Sequence, residues 1–165
     1  MKREFREIYE KYSYDLYTFI LRMCGNEQLA KDILQDTMLK AMTSAESFKG
    51  NCSVRTWLCT IAKNLYYDYL KKHETKNSSI EILNEPPDGS NIEEGFINKE
   101  TSLHIHHLLH KLDEPYREVF TLRVFAELKF SDIGNVFGKS ENWAGVTFYR
   151  AKQKLIQLLK EEELL

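Results

Sequence analysis

Apolar side chains recur at helical spacing along most of the chain. The spacing predicts a first helix from about Glu4 to Met23, whose apolar face holds Phe5, Ile8, Tyr12, Leu16, Phe19 and Ile20. Gly25 predicts the end of this helix, and Asn26 is a suitable cap for a second one. The second helix should turn inward Leu29, Ile33, Leu34, Met38 and Ala41. Only three prolines and seven glycines interrupt the 165 residues, so we expect a mostly helical chain.

The sequence SVRTWLCTIAKNLYYDYLKK, residues 53–72, predicts a third helix with two distinct faces. At 100° per residue, one face is apolar and consists of Val54, Leu58, Ile61 and Leu65. A second stripe carries hydrogen-bonding groups, rings and a cation, with Trp57 at its border: Ser53, Thr60, Asn64, Tyr67 and Lys71. Rings stack on unpaired bases and cations hold phosphates, so the stripe favours nucleic-acid binding. A solvated helix face is the alternative.

The composition changes between about Thr75 and Lys99. This stretch contains Pro-Pro, Asp-Gly and several serines, and its five acidic residues outnumber two basic ones. Such a composition is typical of a flexible linker. We therefore expect an all-α protein in which two small helical domains, 1–74 and 100–165, are joined by a flexible acidic linker, 75–99.

The second domain should begin with a helix near Ile97, whose apolar face holds Ile105, Leu108, Leu109 and Leu112. Pro115 predicts another helix start. A short helix capped by Ser131, a break at Gly138 and a long helix capped by Ser140 then form a helix-turn-helix pattern. On the long helix, Trp143, Val146 or Thr147, Leu155 and Leu158 can pack. Its exposed side would carry the groups that enter a DNA major groove, Asn142, Tyr149, Arg150, Lys152 and Lys154.

Other classes of protein find little support in the composition. Three cysteines without a C-x-x-C spacing predict buried or half-buried free thiols. Four histidines between positions 104 and 110 are expected to form an exposed polar face rather than a metal site. No catalytic triad spacing, glycine-rich phosphate loop or carboxylate pair stands out, so we expect no enzyme, no cofactor and no metal. The chain has no 18-residue apolar run and no signal peptide, which predicts a cytoplasmic protein.

Three motifs occur together in this chain: DILQD at residues 32–36, SVRTWLCTIAKN at 53–64, and YRAK at 149–152. With the acidic stretch between them, they resemble bacterial extracytoplasmic-function sigma factors over nearly the whole chain. The resemblance implies a dissociable, non-enzymatic subunit that directs RNA polymerase to promoters. The implied partners are the polymerase core, through its clamp helices and flap, promoter DNA and an anti-sigma factor, without membrane insertion.

The resemblance also implies three groups of contact residues. Those expected to bind core polymerase are Asp32, Gln35, Asp36 and Met38. Those expected to capture and melt the -10 element are Phe48, Lys49, Asn51, Ser53, Trp57, Lys63, Asn64, Tyr67, Asp68 and Lys71. Those expected at the -35 element, with Arg123 and Lys152 as phosphate contacts, are Arg123, Trp143, Gly145, Val146, Tyr149, Arg150 and Lys152.

One position departs from the pattern of related helices, which often carry a basic residue where this chain has Gly145. Drift at an exposed site and close backbone approach to DNA are both open explanations. Two other functions also remain open. A dimeric helix-turn-helix repressor or activator would leave the 53–72 stripe and the Asp32–Asp36 edge without a role. An α-helical adaptor would have no DNA role at all.

Overall fold

In a computed structural model of the protein, the structure describes residues 2–74 and 104–163. The chain divides into two compact units, Met1–Glu85 and Pro86–Leu165. The described residues form helices and turns without a strand, which confirms the predicted all-α class. No helix in these stretches combines the length and apolar character that a membrane crossing requires. The predicted linker, 75–99, lies outside the described residues.

The N-terminal unit contains helices α1 (Lys2–Cys24), α2 (Glu27–Thr43) and α3 (Val54–Glu74), with a 3₁₀ turn at Ala45–Ser47. Gly25 takes a positive φ of 71° after α1, a conformation that glycine adopts without strain. Asn26 then caps α2, because its side-chain oxygen accepts from the Leu29 N–H at 2.9 Å. Ser53 caps α3 in the same way, accepting from the Thr56 N–H at 3.1 Å. Both predicted caps are confirmed.

The three helices enclose one apolar core, whose largest buried side chains include Phe19, Ile20, Met23 and Leu58. Buried positions on α2 are Ala30, Ile33, Thr37, Met38 and Ala41, while the predicted Leu29 and Leu34 are half-buried. An ion pair also joins α3 to α1. Arg55 donates from Nε to Asp15 Oδ2 and from Nη2 to Oδ1, the latter at 3.3 Å. This two-point contact explains a basic residue that the apolar spacing of α3 leaves unassigned.

In the C-terminal unit, residues 104–109 are helical (α4), followed by α5 (Tyr116–Val124), α6 (Phe130–Phe137) and α7 (Glu141–Glu163). The predicted helix start at Pro115 is confirmed, since Pro115 is the N-cap of α5. The predicted start near Ile97 lies outside the described residues. Leu108, Leu109 and Leu112 are buried as expected.

The helix-turn-helix consists of α6 and α7, as predicted. Gly138 ends α6 with a φ of 65°, and Ser140 caps α7 by accepting from the Trp143 N–H at 3.0 Å. The predicted Ser131 cap was wrong. Lys129 is the N-cap, because its carbonyl already accepts from the Ile133 N–H at 3.0 Å, which places Ser131 inside the first turn.

Gly134 allows the turn between α6 and α7 to fold back closely. The Lys139 N–H donates to the Gly134 carbonyl at 2.8 Å. A Cβ added at Gly134 would lie 2.7 Å from the Lys139 carbonyl oxygen and 2.8 Å from that of Ser140. No side chain fits in that space, so only glycine permits this approach.

Candidate nucleic-acid and polymerase interfaces

The exposed edge of α2 carries Asp32, Gln35 and Asp36, as the sequence predicted. Asp32 accepts a hydrogen bond from Gln28 Nε2 at 3.3 Å. Met38, in contrast, is only 4% exposed and belongs to the core, so its predicted role as a surface contact was wrong.

Sequence analysis missed two apolar side chains on the same edge of α2. Leu39 and Met42 are 50% and 43% exposed. Leu39 follows Asp36 by three positions and Asp32 by seven, and Met42 follows Leu39 by three, so all four lie along one stripe. That spacing was readable from the sequence. The sequence analysis assigned only the inward residues of α2 and gave Leu39 and Met42 no role.

The loop before α3 is anchored by a pair of aromatic rings. Phe48 is half-buried, and its ring centroid lies 5.0 Å from that of Trp57 on α3, at an interplanar angle of 38°. Between them, Lys49 and Asn51 are exposed, and Gly50 turns the chain with a φ of 72°. The loop therefore presents polar groups beside an apolar wall.

Ser53 lies at the end of this loop, and its hydroxyl serves α3 itself. The Oγ accepts from the Thr56 N–H and lies 2.9 Å from the Thr56 hydroxyl. The Thr60 hydroxyl likewise donates to the Thr56 carbonyl at 2.9 Å. These two hydroxyls stabilise the first turns of the helix, although both residues lie on the predicted stripe.

Further along α3, the predicted stripe is exposed at Asn64 and Lys71 and half-buried at Tyr67. Asp68, predicted separately as a -10 residue, is also exposed. The structure thus places an amide, a carboxylate, a ring and an ammonium in successive turns on the same helix as Trp57. This row offers hydrogen-bond donors and acceptors next to a stacking surface.

Lys63 was expected among these surface groups, and that expectation was wrong. Its side chain is 1% exposed, and its Nζ lies 5.8 Å from the centroid of the Tyr67 ring. Cys59, Tyr66 and Leu70, at helical spacing from Lys63, are buried as well. The buried face of α3 is therefore displaced toward Lys63 from the predicted one, of which Leu58 and Ile61 are buried and Val54 and Leu65 only half-buried.

The thiols behave as predicted, since Cys24 and Cys59 are buried, Cys52 is half-buried and none forms a disulfide. Burial raises the pKa of the Cys24 thiol to about 11 and that of Cys59 to about 12. Burial also raises the pKa of the nearby Tyr66 phenol. These groups stay protonated at neutral pH and contribute to packing.

On α7, the side predicted to face DNA is exposed. Asn142, Arg150, Lys152 and Lys154 are open to solvent, and Tyr149 is 62% exposed. The sequence left open which neighbour packs inward, Val146 or Thr147. Thr147 is buried at 5% exposure and Val146 is 40% exposed, so Val146 belongs to the outer surface.

Two predicted -35 residues on α7 have structural surroundings that limit their roles. Trp143 is half-buried, and its ring lies 5.2 Å from that of Phe137 on α6. Gly145 has room for a Cβ, which would meet Phe130 Cδ2 at an ordinary 3.9 Å. The fold of this unit does not require glycine at position 145.

The histidines of α4 do not all face outward as predicted. His106 is 8% exposed and stacks on Phe125, with ring centroids 5.2 Å apart, whereas the predicted core residue Ile105 is 37% exposed. His104 and His107 are exposed. Within residues 2–74 and 104–163, no group of three potential ligand side chains is arranged to hold a metal ion.

Glu162, near the end of α7, connects that helix to one residue in α4 and to one that follows α4. Its carboxylate lies 3.1 Å from Lys111 Nζ and 3.0 Å from His104 Nε2. The hydrogen bond from Lys111 is the main cause that lowers the pKa of Glu162.

Two protein families match the chain, one in each unit. Sigma-70 region 2 matches residues 8–75, and Sigma-70 region 4 matches residues 102–155. The chain is 31% identical over 154 residues to the ECF RNA polymerase sigma factor SigM of Bacillus subtilis, covering 90% of this chain and 91% of SigM. It is 29% identical over 153 residues to the RNA polymerase sigma factor YlaC of the same organism, covering 90% and 88%.

Two solved structures, each 20% identical in sequence, share the fold. CnrH in complex with the cytosolic domain of CnrY has a TM-score of 0.63, covering 98% of this chain and 90% of that one. The sigma factor RpoE, in complex with the anti-sigma factor NepR from Bartonella quintana, has a TM-score of 0.62, covering 96% and 98%. Both family matches and the identity to SigM agree with the motifs at residues 32–36, 53–64 and 149–152. The chain belongs to the extracytoplasmic-function (ECF) family of RNA polymerase sigma factors.

Proposed function

We propose that this sigma factor uses three separate surfaces to direct core polymerase to a two-element promoter. The edge of α2 binds the polymerase core, the 48–53 loop with α3 captures and melts the -10 element, and α7 reads the -35 element. The aromatic and polar surface around Phe48 and Trp57 carries the proposal. A protein that only binds duplex DNA through a helix-turn-helix has no use for it.

On the α2 edge, two carboxylates and an amide lie beside two exposed apolar side chains. Asp32 and Asp36 suit a basic partner, because arginine forms charge-assisted hydrogen bonds with carboxylates. Leu39 and Met42 add apolar area that is removed from water when a partner docks. We expect the polymerase clamp helices to bind here.

At the -10 element, the task is to hold a base that has left the duplex. Flipping needs an apolar wall and hydrogen-bonding groups around the extruded base. The Phe48–Trp57 pair supports the first role, and Asn51 and Asn64 are exposed amides that support the second. Lys49 and Lys71 are exposed cations that can hold the neighbouring phosphates.

At the -35 element, α7 is the element that enters the major groove. Its exposed Arg150 can pair with a guanine edge, and Tyr149 and Val146 offer contacts to bases and methyl groups. The exposed Lys152 is a cation that can hold a phosphate on the flank. Trp143 contributes mainly by packing α7 onto Phe137.

We infer that the chain contributes no catalysis, because phosphodiester synthesis belongs to the polymerase, and that it acts in the cytoplasm with that enzyme. We also infer control by an anti-sigma factor. RpoE was solved with one, NepR. The exposed apolar residues of α2 are a surface that such a partner would need to cover.

Run-off transcription tests the proposal. The chain is mixed with core polymerase and a promoter library, and transcripts are scored with core alone as the control. We expect start sites that appear only when the chain is present, at promoters sharing two spaced elements. Absence of core association at micromolar protein would contradict the proposal. Binding to duplex DNA without core would instead favour a dimeric helix-turn-helix regulator. Binding to neither core nor DNA would favour an adaptor.

A further inference from the structure

Arg123 lies at the end of α5, where the resemblance to sigma factors assigns it to a DNA phosphate. In the structure its side chain is half-buried and already has two partners. Its Nη1 donates to the Leu128 carbonyl at 2.9 Å. Its guanidinium carbon lies 4.1 Å from the centroid of the Phe130 ring, at the first residue of α6.

Leu128 fixes the corner between α5 and α6. Its side chain is buried, and its N–H donates to the Leu122 carbonyl of α5 at 3.2 Å. The preceding Glu127 has a φ of 56°, a left-handed conformation that is unfavourable for a residue with a side chain. The corner is therefore strained, and Arg123 supplies the hydrogen bond that holds the Leu128 carbonyl.

Phe130 connects this corner to the middle of α7. Its ring lies 5.6 Å from that of Phe148, and Phe120 of α5 stacks on Phe148 with centroids 5.8 Å apart. Phe130 also faces the backbone of α7, because a Cβ added at Gly145 would meet its Cδ2 at 3.9 Å. A shift of the Phe130 ring would consequently shift the part of α7 that carries Val146, Tyr149 and Arg150.

We propose that Arg123 is a positioning residue, which sets the placement of α7 for reading the -35 element through Leu128 and Phe130. This inference rests on the proposed function of α7. Arginine suits the task because its planar guanidinium stacks on a ring while its edge donates to a carbonyl. Lysine keeps the positive charge but cannot make both contacts in this geometry.

The rival role, a phosphate contact, predicts different behaviour. A phosphate contact carries no sequence information, so its loss weakens binding to every DNA and flattens the salt dependence by about one phosphate. If α7 is misplaced, the holoenzyme loses affinity only for DNA with the correct -35 sequence, and the salt dependence of binding stays that of wild type. Lysine would rescue a phosphate contact and would not rescue positioning.

The experiment compares holoenzymes carrying Arg123→Lys, Phe130→Leu or Lys152→Met with wild type. The affinity of each holoenzyme is measured across a salt series on two duplexes. One is a promoter recovered from the run-off transcription library, and the other is the same promoter with a scrambled -35 element. We expect Arg123→Lys and Phe130→Leu to lose about tenfold on the recovered duplex and less than about twofold on the scrambled one, with an unchanged salt slope. Lys152→Met should weaken both and flatten the slope.

Phe130→Leu is informative because phenylalanine cannot bind a phosphate. If Phe130→Leu and Arg123→Lys lose affinity on the same duplex, the loss points to positioning. Hydrogen exchange of residues 124–130 in the free chain supplies a second readout. Arg123→Lys should speed exchange of the Leu128 amide, and Lys152→Met should not. Unchanged exchange, equal losses on both duplexes, or wild-type affinity for Arg123→Lys would each overturn the inference. Failure of wild type to distinguish the duplexes would contradict the proposed function of α7, while the exchange result still tests the corner.

Discussion

The ring of Phe48 lies 5.0 Å from the ring of Trp57, which joins the loop before α3 to the helix itself. Lys49, Gly50, Asn51 and Ser53, which lie between the two rings in the sequence, are exposed. The ring pair therefore determines where the polar groups of the loop stand relative to α3. The proposed capture of an unpaired -10 base relies on this arrangement.

We predict that Phe48→Ala and Trp57→Ala each weaken binding of holoenzyme to a single-stranded -10 oligonucleotide by about tenfold, since stacking is worth about 1–3 kcal/mol per base. Because the rings are in contact, the double variant should lose less than the two single losses combined. Fluorescence anisotropy measures all three. Tyr14→Ala, at an 82% exposed position on α1, is the control. Fully additive losses would show that the two rings act separately.

On α2, Asp36→Arg and Leu39→Ser should weaken association with core polymerase without changing helix content, because both positions are exposed. Met38→Ala should instead lower the free energy of unfolding by about 2–5 kcal/mol, since the Met38 side chain is buried. Core binding and circular dichroism separate the two effects. Unfolding of Asp36→Arg would mean that this edge is structural.

Gly145→Arg should tighten binding to a -35 duplex and steepen its salt dependence by about one phosphate. A Cβ at this position would meet Phe130 Cδ2 at an ordinary 3.9 Å. Arg150→Ala should cost about 1–3 kcal/mol if it reads a guanine edge. The affinity of each holoenzyme variant for the -35 duplex is measured across a salt series. Weaker binding of Gly145→Arg at every salt concentration would favour close backbone approach to DNA instead.

Gly134→Ala should destabilise the C-terminal unit by about 1–3 kcal/mol, because overpacking a tight contact forces the backbone apart. The added Cβ would lie 2.7 Å from the Lys139 carbonyl oxygen. Gly145→Ala is the matched control and should stabilise the unit by up to about 1 kcal/mol, because alanine favours a helix interior. Urea denaturation compares them. Equal stability of the two variants would contradict the close approach at Gly134.

Stability of the N-terminal unit should fall in alkaline solution. The folded pKa values of Cys24 and Cys59, about 11 and about 12, exceed the usual 9.0, so the folded state keeps protons that the unfolded state releases. The stabilisation from these two protonated thiols is fully present below pH 9. It is lost as the pH rises toward their pKa values in the folded state. Each thiol contributes up to about 1.4 kcal/mol per pH unit in that range.

Urea denaturation at pH 7, 9 and 10.5 measures this dependence, and Cys59→Ala should make it shallower. Alkylation at pH 8 gives an independent check. The half-buried Cys52 should react first, and Cys24 and Cys59 only after denaturation. Rapid reaction of all three thiols in the folded protein would contradict the burial on which the pH dependence rests.

Local signals explain which parts of the fold could be predicted from the sequence. Asn26, Ser53, Ser140 and Gly138 act on neighbouring backbone groups, so their roles depend only on nearby residues. The apolar spacing likewise located the helices and the helix-turn-helix. Ser131 failed as a cap because the helix begins two residues earlier, at Lys129, whose side chain makes no capping hydrogen bond and so gives no cap signal in the sequence.

The errors share a different cause. Lys63 and His106 look polar in sequence, yet each is buried with its polar end close to an aromatic ring, Tyr67 or Phe125. Helical spacing shows which residues are neighbours on one helix, but not which face of that helix the rest of the fold covers. Arg123 was assigned to a DNA phosphate by the resemblance, and its contact with the Phe130 ring joins two helices, so the sequence alone does not show it.

Permanganate footprinting of a promoter bound by holoenzyme tests the central claim most directly, because it detects thymines that leave the duplex. Closed-complex binding is measured in parallel by anisotropy on the intact duplex. We predict that Asn64→Ala, on the exposed stripe of α3, loses most of the thymine reactivity at the -10 element while closed-complex affinity stays within about twofold of wild type. Equal loss of both signals, or full thymine reactivity in Asn64→Ala, would contradict the assignment of DNA melting to this surface.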